Sequence, residues 1–187
     1  MSPILTGIVA SGISGHLTPA WSPQGAYDAL ASVTLSTAAS TISFSGIPQD
    51  YKHLQLRLSA YSTANDCNGL EYYNDADGSP YTRHAFYAGA SSPGAFSQVS
   101  TSAAQSIDYF NYSTAPSVRI SDYLDYSSDS KYKTIRHFWG REYNSTTSVV
   151  GMQTTLWSSL DGIQKINLSL SGGSYAAGTK VSLYGVR

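Results

Sequence analysis

The residues that could do acid, base or nucleophilic chemistry are serines, twelve carboxylates and four histidines, His16, His53, His84 and His137. A nucleophile elbow needs Gly-x-Ser-x-Gly, and Gly12-Ile13-Ser14-Gly15 fails at the last step, so the strained turn that presents such a serine is not encoded. Carboxylate pairs for glycoside hydrolysis can be drawn from Glu71, Asp108, Asp122, Asp125 and Glu142, but no spacing singles out a pair. Asn74-Asp75-Ala76-Asp77-Gly78 resembles the opening of a calcium loop and lacks the distant bidentate Glu. Asn, Asp and Gly are also turn formers, and a turn is the reading taken for these residues. No His-x-x-x-His or Cys-x-x-Cys pair indicates zinc, and no glycine-rich loop opens a helix to cradle phosphate. The expectation is a protein without catalytic residues, metal or cofactor.

Composition narrows the partners. Only 12% of the 187 residues are charged, the net charge is −1, and Tyr alone contributes 15 residues. With no positive field to gather phosphates, nucleic-acid binding is not expected. Nor is membrane insertion, because no apolar run approaches the roughly 20 residues that span a bilayer. A surface that is polar without being ionic and rich in rigid Tyr suits adhesion and assembly. Cys67 has no partner for a disulfide and reads as an incidental residue in the loop-like run Asn65-Asp66-Cys67-Asn68-Gly69. The N-terminus has no basic segment followed by an apolar one, so secretion is not expected and release would follow lysis.

The elements that must position any site are strands. Residues 1–26 stand apart: Ile4, Leu5, Ile8, Val9, Ile13, Leu17 and Trp21 are spread among Gly, Ser and Pro without a period. Glycines make a helix poor and the aliphatics make solvation costly, so this reads as an extended arm for attachment or assembly. From residue 27 to 187 the pattern is short strands separated by turns. Thr41-Ile42-Ser43-Phe44-Ser45 and His53-Leu54-Gln55-Leu56-Arg57-Leu58 alternate apolar with polar, the mark of antiparallel strands with one wet face. Thr37-Ala38-Ala39-Ser40 reads as a hairpin loop joining the Ser32–Ser36 and Thr41–Ser45 strands. Leu54, Leu56, Leu58, Ile135, Ile166, Leu168 and Leu183 are expected inward. The stretch 62–116 reads as loop-rich, with 88–104 the longest loop, and Tyr72, Tyr73, Tyr81, Phe86 and Tyr87 are the candidate binding-surface residues on it. The fold class expected is all-β: a two-sheet antiparallel β-sandwich, jelly-roll-like, with an extended N-terminal arm.

Two stretches carry a resemblance. They are the run from Trp21-Ser22-Pro23-Gln24-Gly25 to Thr34, and Ile42-Ser43-Phe44-Ser45-Gly46-Ile47-Pro48-Gln49-Asp50-Tyr51-Lys52-His53-Leu54-Gln55-Leu56. The chain resembles small virion structural proteins of tailed phages, notably those infecting cyanobacteria, over most of residues 20–187. The closing Gly178-Thr179-Lys180-Val181-Ser182-Leu183-Tyr184-Gly185-Val186 is similar to the same group's last strand. The resemblance implies a β-sandwich displayed on a particle, commonly as a homotrimer, and it implies no catalytic residues. The leading expectation is a tail-fibre or receptor-binding module held through its arm to other virion proteins and facing a host surface glycan or protein. The alternatives are a capsid decoration or cement protein and a carbohydrate-binding or carbohydrate-active domain. No long fibrous repeat is present, so a fibre role would be that of a short or distal module.

Overall fold

The computed structural model describes residues 25–65, 67–76, 80–89, 93–110, 115–141 and 148–187. The arm residues Ile4, Leu5, Ile8, Val9, Ile13, Leu17 and Trp21 lie outside them. Among the described residues twelve strands run in chain order: β1 (Tyr27–Thr34), β2 (Thr41–Ser45), β3 (His53–Ala60), β4 (Cys67–Tyr73), β5 (Tyr81–Ala88), β6 (Pro93–Thr101), β7 (Ala104–Phe110), β8 (Ser117–Leu124), β9 (Lys133–Arg141), β10 (Val149–Trp157), β11 (Lys165–Leu170) and β12 (Lys180–Val186). Among the described residues there is no helix.

All pairings are antiparallel, and they form two sheets. The larger has the order β1-β12-β3-β8-β9-β10-β5-β6 and the smaller β2-β11-β4-β7. Eight of the strands wind as one long folded hairpin. Its four rungs are β1 with β12, β2 with β11, β3 with β8, and β4 with β7. Alternate rungs fall in opposite sheets, and β12–β3 and β11–β4 pairing joins them within each sheet. That winding is a jelly roll. Two excursions are added to it. The β5–β6 hairpin leaves between β4 and β7, β9–β10 leaves between β8 and β11, and β10–β5 pairing unites them into a four-strand extension of the larger sheet.

The core lies between the sheets and follows the alternation of the strands. Ile42 and Phe44 of β2, Leu54, Leu56 and Leu58 of β3, Ile166 and Leu168 of β11, and Val181 and Leu183 of β12 are buried together with Ile135 of β9. Each such aliphatic side chain contributes roughly 1.5–3 kcal/mol on burial. Every residue expected inward is there. Gly185 is required in β12, because a Cβ would stand 2.5 Å from ring carbons of Tyr51. The ends of the sheet edge are tied by Arg187, whose Nη2 and Nε donate to Asp28 at 2.6 and 3.0 Å. Hydrogen bonding from Arg187 holds the Asp28 carboxyl below its ordinary range.

Three local expectations are corrected. Residues 37–40 do not close a hairpin: β1 and β2 belong to different sheets, so the segment crosses the sandwich edge, with Ala39 bridged to Tyr175. The expected long loop over 88–104 contains β6, the edge strand of the larger sheet, with Pro93 at its first position, where proline is tolerated. Cys67 is not in a loop but begins β4, buried, with its sulfur 3.6 Å from the Ser62 hydroxyl and from the Ala64 carbonyl.

Candidate interaction surface

Beneath the extension the interior is polar, and the reason starts in β4. Alternation carries Cys67, Gly69, Glu71 and Tyr73 inward, which places a carboxylate in the core. Glu71 is neutralised there by the Arg119 guanidinium of β8, and its Oε2 accepts from the hydroxyls of Tyr73 at 2.8 Å and Tyr123 at 3.1 Å. Burial and the Glu71 charge push both phenols well above their ordinary value. Tyr81 is pushed up to about 12, chiefly by burial, and its oxygen accepts from the Tyr73 backbone N–H at 3.1 Å. The Tyr73 ring meets Tyr81, Tyr123 and Trp157 edge to face, with centroids 5.6, 5.9 and 5.6 Å away.

A serine and a histidine do come together. Ser121 and His137 are opposite one another in the β8–β9 ladder, with Ser121 Oγ 2.8 Å from His137 Nδ1. The other ring nitrogen lies 3.4 Å from Thr155 Oγ1, which accepts from Gln153 Nε2 at 3.0 Å. An activated nucleophile needs an orienting acceptor and an approach for substrate. Ser121, His137 and Thr155 are all sealed from solvent, which closes off that approach. The chain of hydrogen bonds satisfies polar groups between strands. Lys133 is also enclosed, its ammonium donating to the carbonyls of Lys131, Ser159 and Leu160, and burial pushes its pKa down.

Several other described acids are engaged at the surface. Asp122 accepts from Gln55 Nε2 at 2.9 Å on the outer face, and Asp125 is paired with Lys131 at 3.2 Å. Asp75 takes Lys165 Nζ at 2.8 Å and Asn167 Nδ2 at 2.6 Å, and the Lys165 bond holds its carboxyl below the ordinary range. The Asn74 side chain caps the turn by accepting from the N–H groups of Gln164 and Lys165. Asn74 and Asp75 thus form a turn, with φ of 53° and 56°. Among the described residues no group of three or more His, Cys, Asp or Glu converges as a metal site. Asp77, Gly78, Glu142 and His16 lie outside the described residues.

The accessible feature is the outer face of the larger sheet. Pointing Arg119 inward forces Val118 and Ile120 outward, and the same inversion holds along β9, β10 and β5. One cross-strand row traverses all eight strands as Ser32, Ser182, Arg57, Ile120, Phe138, Met152, Phe86 and Ala95, each opposite the next. Its second half is an apolar band, with Ile120 42%, Phe138 52%, Met152 43% and Phe86 59% exposed. Directly opposed side chains in an antiparallel pair stand about 5 Å apart, so the band is continuous. Val118 and Val150 flank it across Gly140. On the other side runs a polar row of Gln55, Asp122, Arg136, Thr154, His84 and Ser97.

Two shallow hollows interrupt the face. One, of about 350 Å³, is bounded by Arg57, Val118, Ile120, Phe138, Val150 and Lys180. The other, of about 510 Å³, lies around Phe86, Phe96, Arg136 and Met152. At the β1 end Arg57 lies over the rings of Tyr27 and Tyr184, 5.4 and 4.8 Å from their centroids.

The expected binding residues are redistributed by the fold. Tyr72 and Tyr73 lie in β4, and Tyr81, Phe86 and Tyr87 in β5, so none is on a loop. Tyr73 and Tyr81 are fully buried, because strand alternation turns them onto the aromatic cluster, and neither can meet a partner. Phe86 alone joins the apolar band. Val118, Ile120, Phe138, Val150 and Met152 were not anticipated; their facing depends on Arg119 meeting a carboxylate from another sheet. No protein-family model, curated protein or solved structure matches this chain.

Proposed function

We propose that this chain is a structural protein of a bacteriophage particle that works by assembly rather than catalysis. In this reading it is a homotrimeric tail-fibre or receptor-binding module, held to other virion proteins through its N-terminal arm. The observation that carries the assembly part is the apolar band on the outer face of the larger sheet. A contiguous row of half-exposed Ile, Phe and Met side chains is costly to leave in water and marks a contact surface. The reactive groups support the non-catalytic part, since the Ser121–His137 pair and Glu71 are closed inside. Jelly rolls also recur in viral capsid and lectin domains, which supports the virion reading by analogy of fold. The resemblance of the Phe44–Leu56 stretch to tailed-phage virion proteins supplies the particle.

Gold-labelled antibody against the protein, imaged on particles, tests the proposal. Label confined to the tail at low copy number is the expected result. Dense label over the head would replace the fibre reading with capsid decoration, and unlabelled particles would overturn both.

A further inference from the structure

We infer that the occupant of the apolar band is the protein's own N-terminal segment, residues 4–17, supplied by a neighbouring copy in the assembly. The inference rests on the assembly reading and assigns residues 4–17 to a neighbouring copy in place of other virion proteins. Three observations carry it.

The first is chemical match. The band offers Ile120, Phe138, Met152 and Phe86, and it carries no charge of its own. Residues 1–24 contain Ile4, Leu5, Ile8, Val9, Ile13 and Leu17, with no Asp, Glu, Lys or Arg. Laying these aliphatics on the band removes apolar surface from water on both sides, with no ion to desolvate.

The second is reach. The described chain begins at Gly25, and Tyr27 opens β1 at one edge of the sheet. Neighbouring strands are spaced about 4.8 Å apart, so the seven intervals from β1 to β6 span about 34 Å. A chain of the 24 preceding residues, if fully extended, would span about 80 Å at about 3.3 Å each, enough to leave its own sheet and cross that of a neighbour.

The third is continuity. The Tyr27 ring, two residues into the described chain, lies with Arg57 and Tyr184 on the outer face, the face whose cross-strand row runs from Ser32 through Arg57 into the band. A second copy packing band to band would bury the same residues and leave the segment's aliphatics uncovered.

The test uses the full-length chain with Phe138 replaced by the photo-crosslinker p-benzoylphenylalanine, illuminated as a mixture of isotopically heavy and light copies. Adducts read by mass spectrometry are expected to join position 138 of one copy to residues 4–17 of another. They should be lost when Ile8→Ser and Ile13→Ser are combined in the same chain, with the circular dichroism unchanged. Adducts to β8, β9 or β10 of a second copy would overturn the inference in favour of band-to-band packing, and absence of any adduct would overturn it outright. Adducts to residues 4–17 of the same copy alone would overturn it too, because the segment would not come from a neighbour. A trimer without adducts to 4–17 would overturn the inference and leave the trimer of the assembly reading standing.

Discussion

The Arg119 guanidinium meets the Glu71 carboxylate in the space between the two sheets, with both side chains sealed from solvent. This pair joins β4 of the smaller sheet to β8 of the larger across 48 residues of chain. Removing one partner strands the other charge in the core, so Glu71→Ala should cost about 3–5 kcal/mol of stability in urea denaturation. Glu71→Leu combined with Arg119→Met should cost less than the two single losses added, since both charges go together, although the Tyr73 and Tyr123 hydroxyls lose their acceptor. An additive double variant would show that the two side chains do not act together.

Gly151 lies where the Trp139 indole packs on the inner face of the extension, and a Cβ there would stand 2.4 Å from the ring and 3.1 Å from the Phe86 carbonyl oxygen. Neither neighbour is the free end of a flexible side chain. Gly151→Ala should therefore destabilise by about 1–3 kcal/mol through overpacking. The check is a shift of tryptophan emission together with a lowered urea midpoint; a stabilised variant would contradict the packing described.

The enclosed phenols set a limit on alkaline stability. Tyr73, Tyr81 and Tyr123 have folded-state pKa values raised above the ordinary value of 10, Tyr81 to about 12. Between the unfolded and the folded value, a group with a raised folded pKa keeps its proton in the folded state while the unfolded state has lost it. Its stabilisation is complete below pH 10 and is lost as pH rises toward the folded value. For Tyr81 a shift of about two units corresponds to roughly 3 kcal/mol. Phenolate absorbance at alkaline pH should show exposed tyrosines titrating first and this group only on unfolding, whereas a single ordinary titration of all tyrosines would refute the enclosure.

Much of the fold was legible where alternation is one-sided and the inner residues are aliphatic. Leu54, Leu56 and Leu58 in β3, Ile166 and Leu168 in β11, and Leu183 in β12 face the core as their spacing requires. Alternation tells which residues share a face but not which face is inside. In β8 the two sets are Ser117, Arg119, Ser121, Tyr123 and Val118, Ile120, Asp122, Leu124, and hydropathy alone would turn Val118 and Ile120 inward. Glu71 decides otherwise, and its approach to Arg119 depends on winding that local patterns do not encode. The same dependence hid the interaction surface, because its residues come from four strands that meet only through the pairing of β10 with β5. Tyr73 and Tyr81 misled for the converse reason: tyrosine suits both contact surfaces and wet cores, and here the hydroxyls find buried partners.

In the proposed function the protein assembles through the outer face of its larger sheet, and the decisive measurement is sedimentation velocity at micromolar concentration. The full-length protein should sediment as a trimer, and Ile120→Asp combined with Phe138→Asp should give a folded monomer, since a charge on a half-exposed strand face is tolerated by the sandwich but not by a buried contact. A monomeric wild-type protein, or a trimer indifferent to both aspartates, would contradict the account.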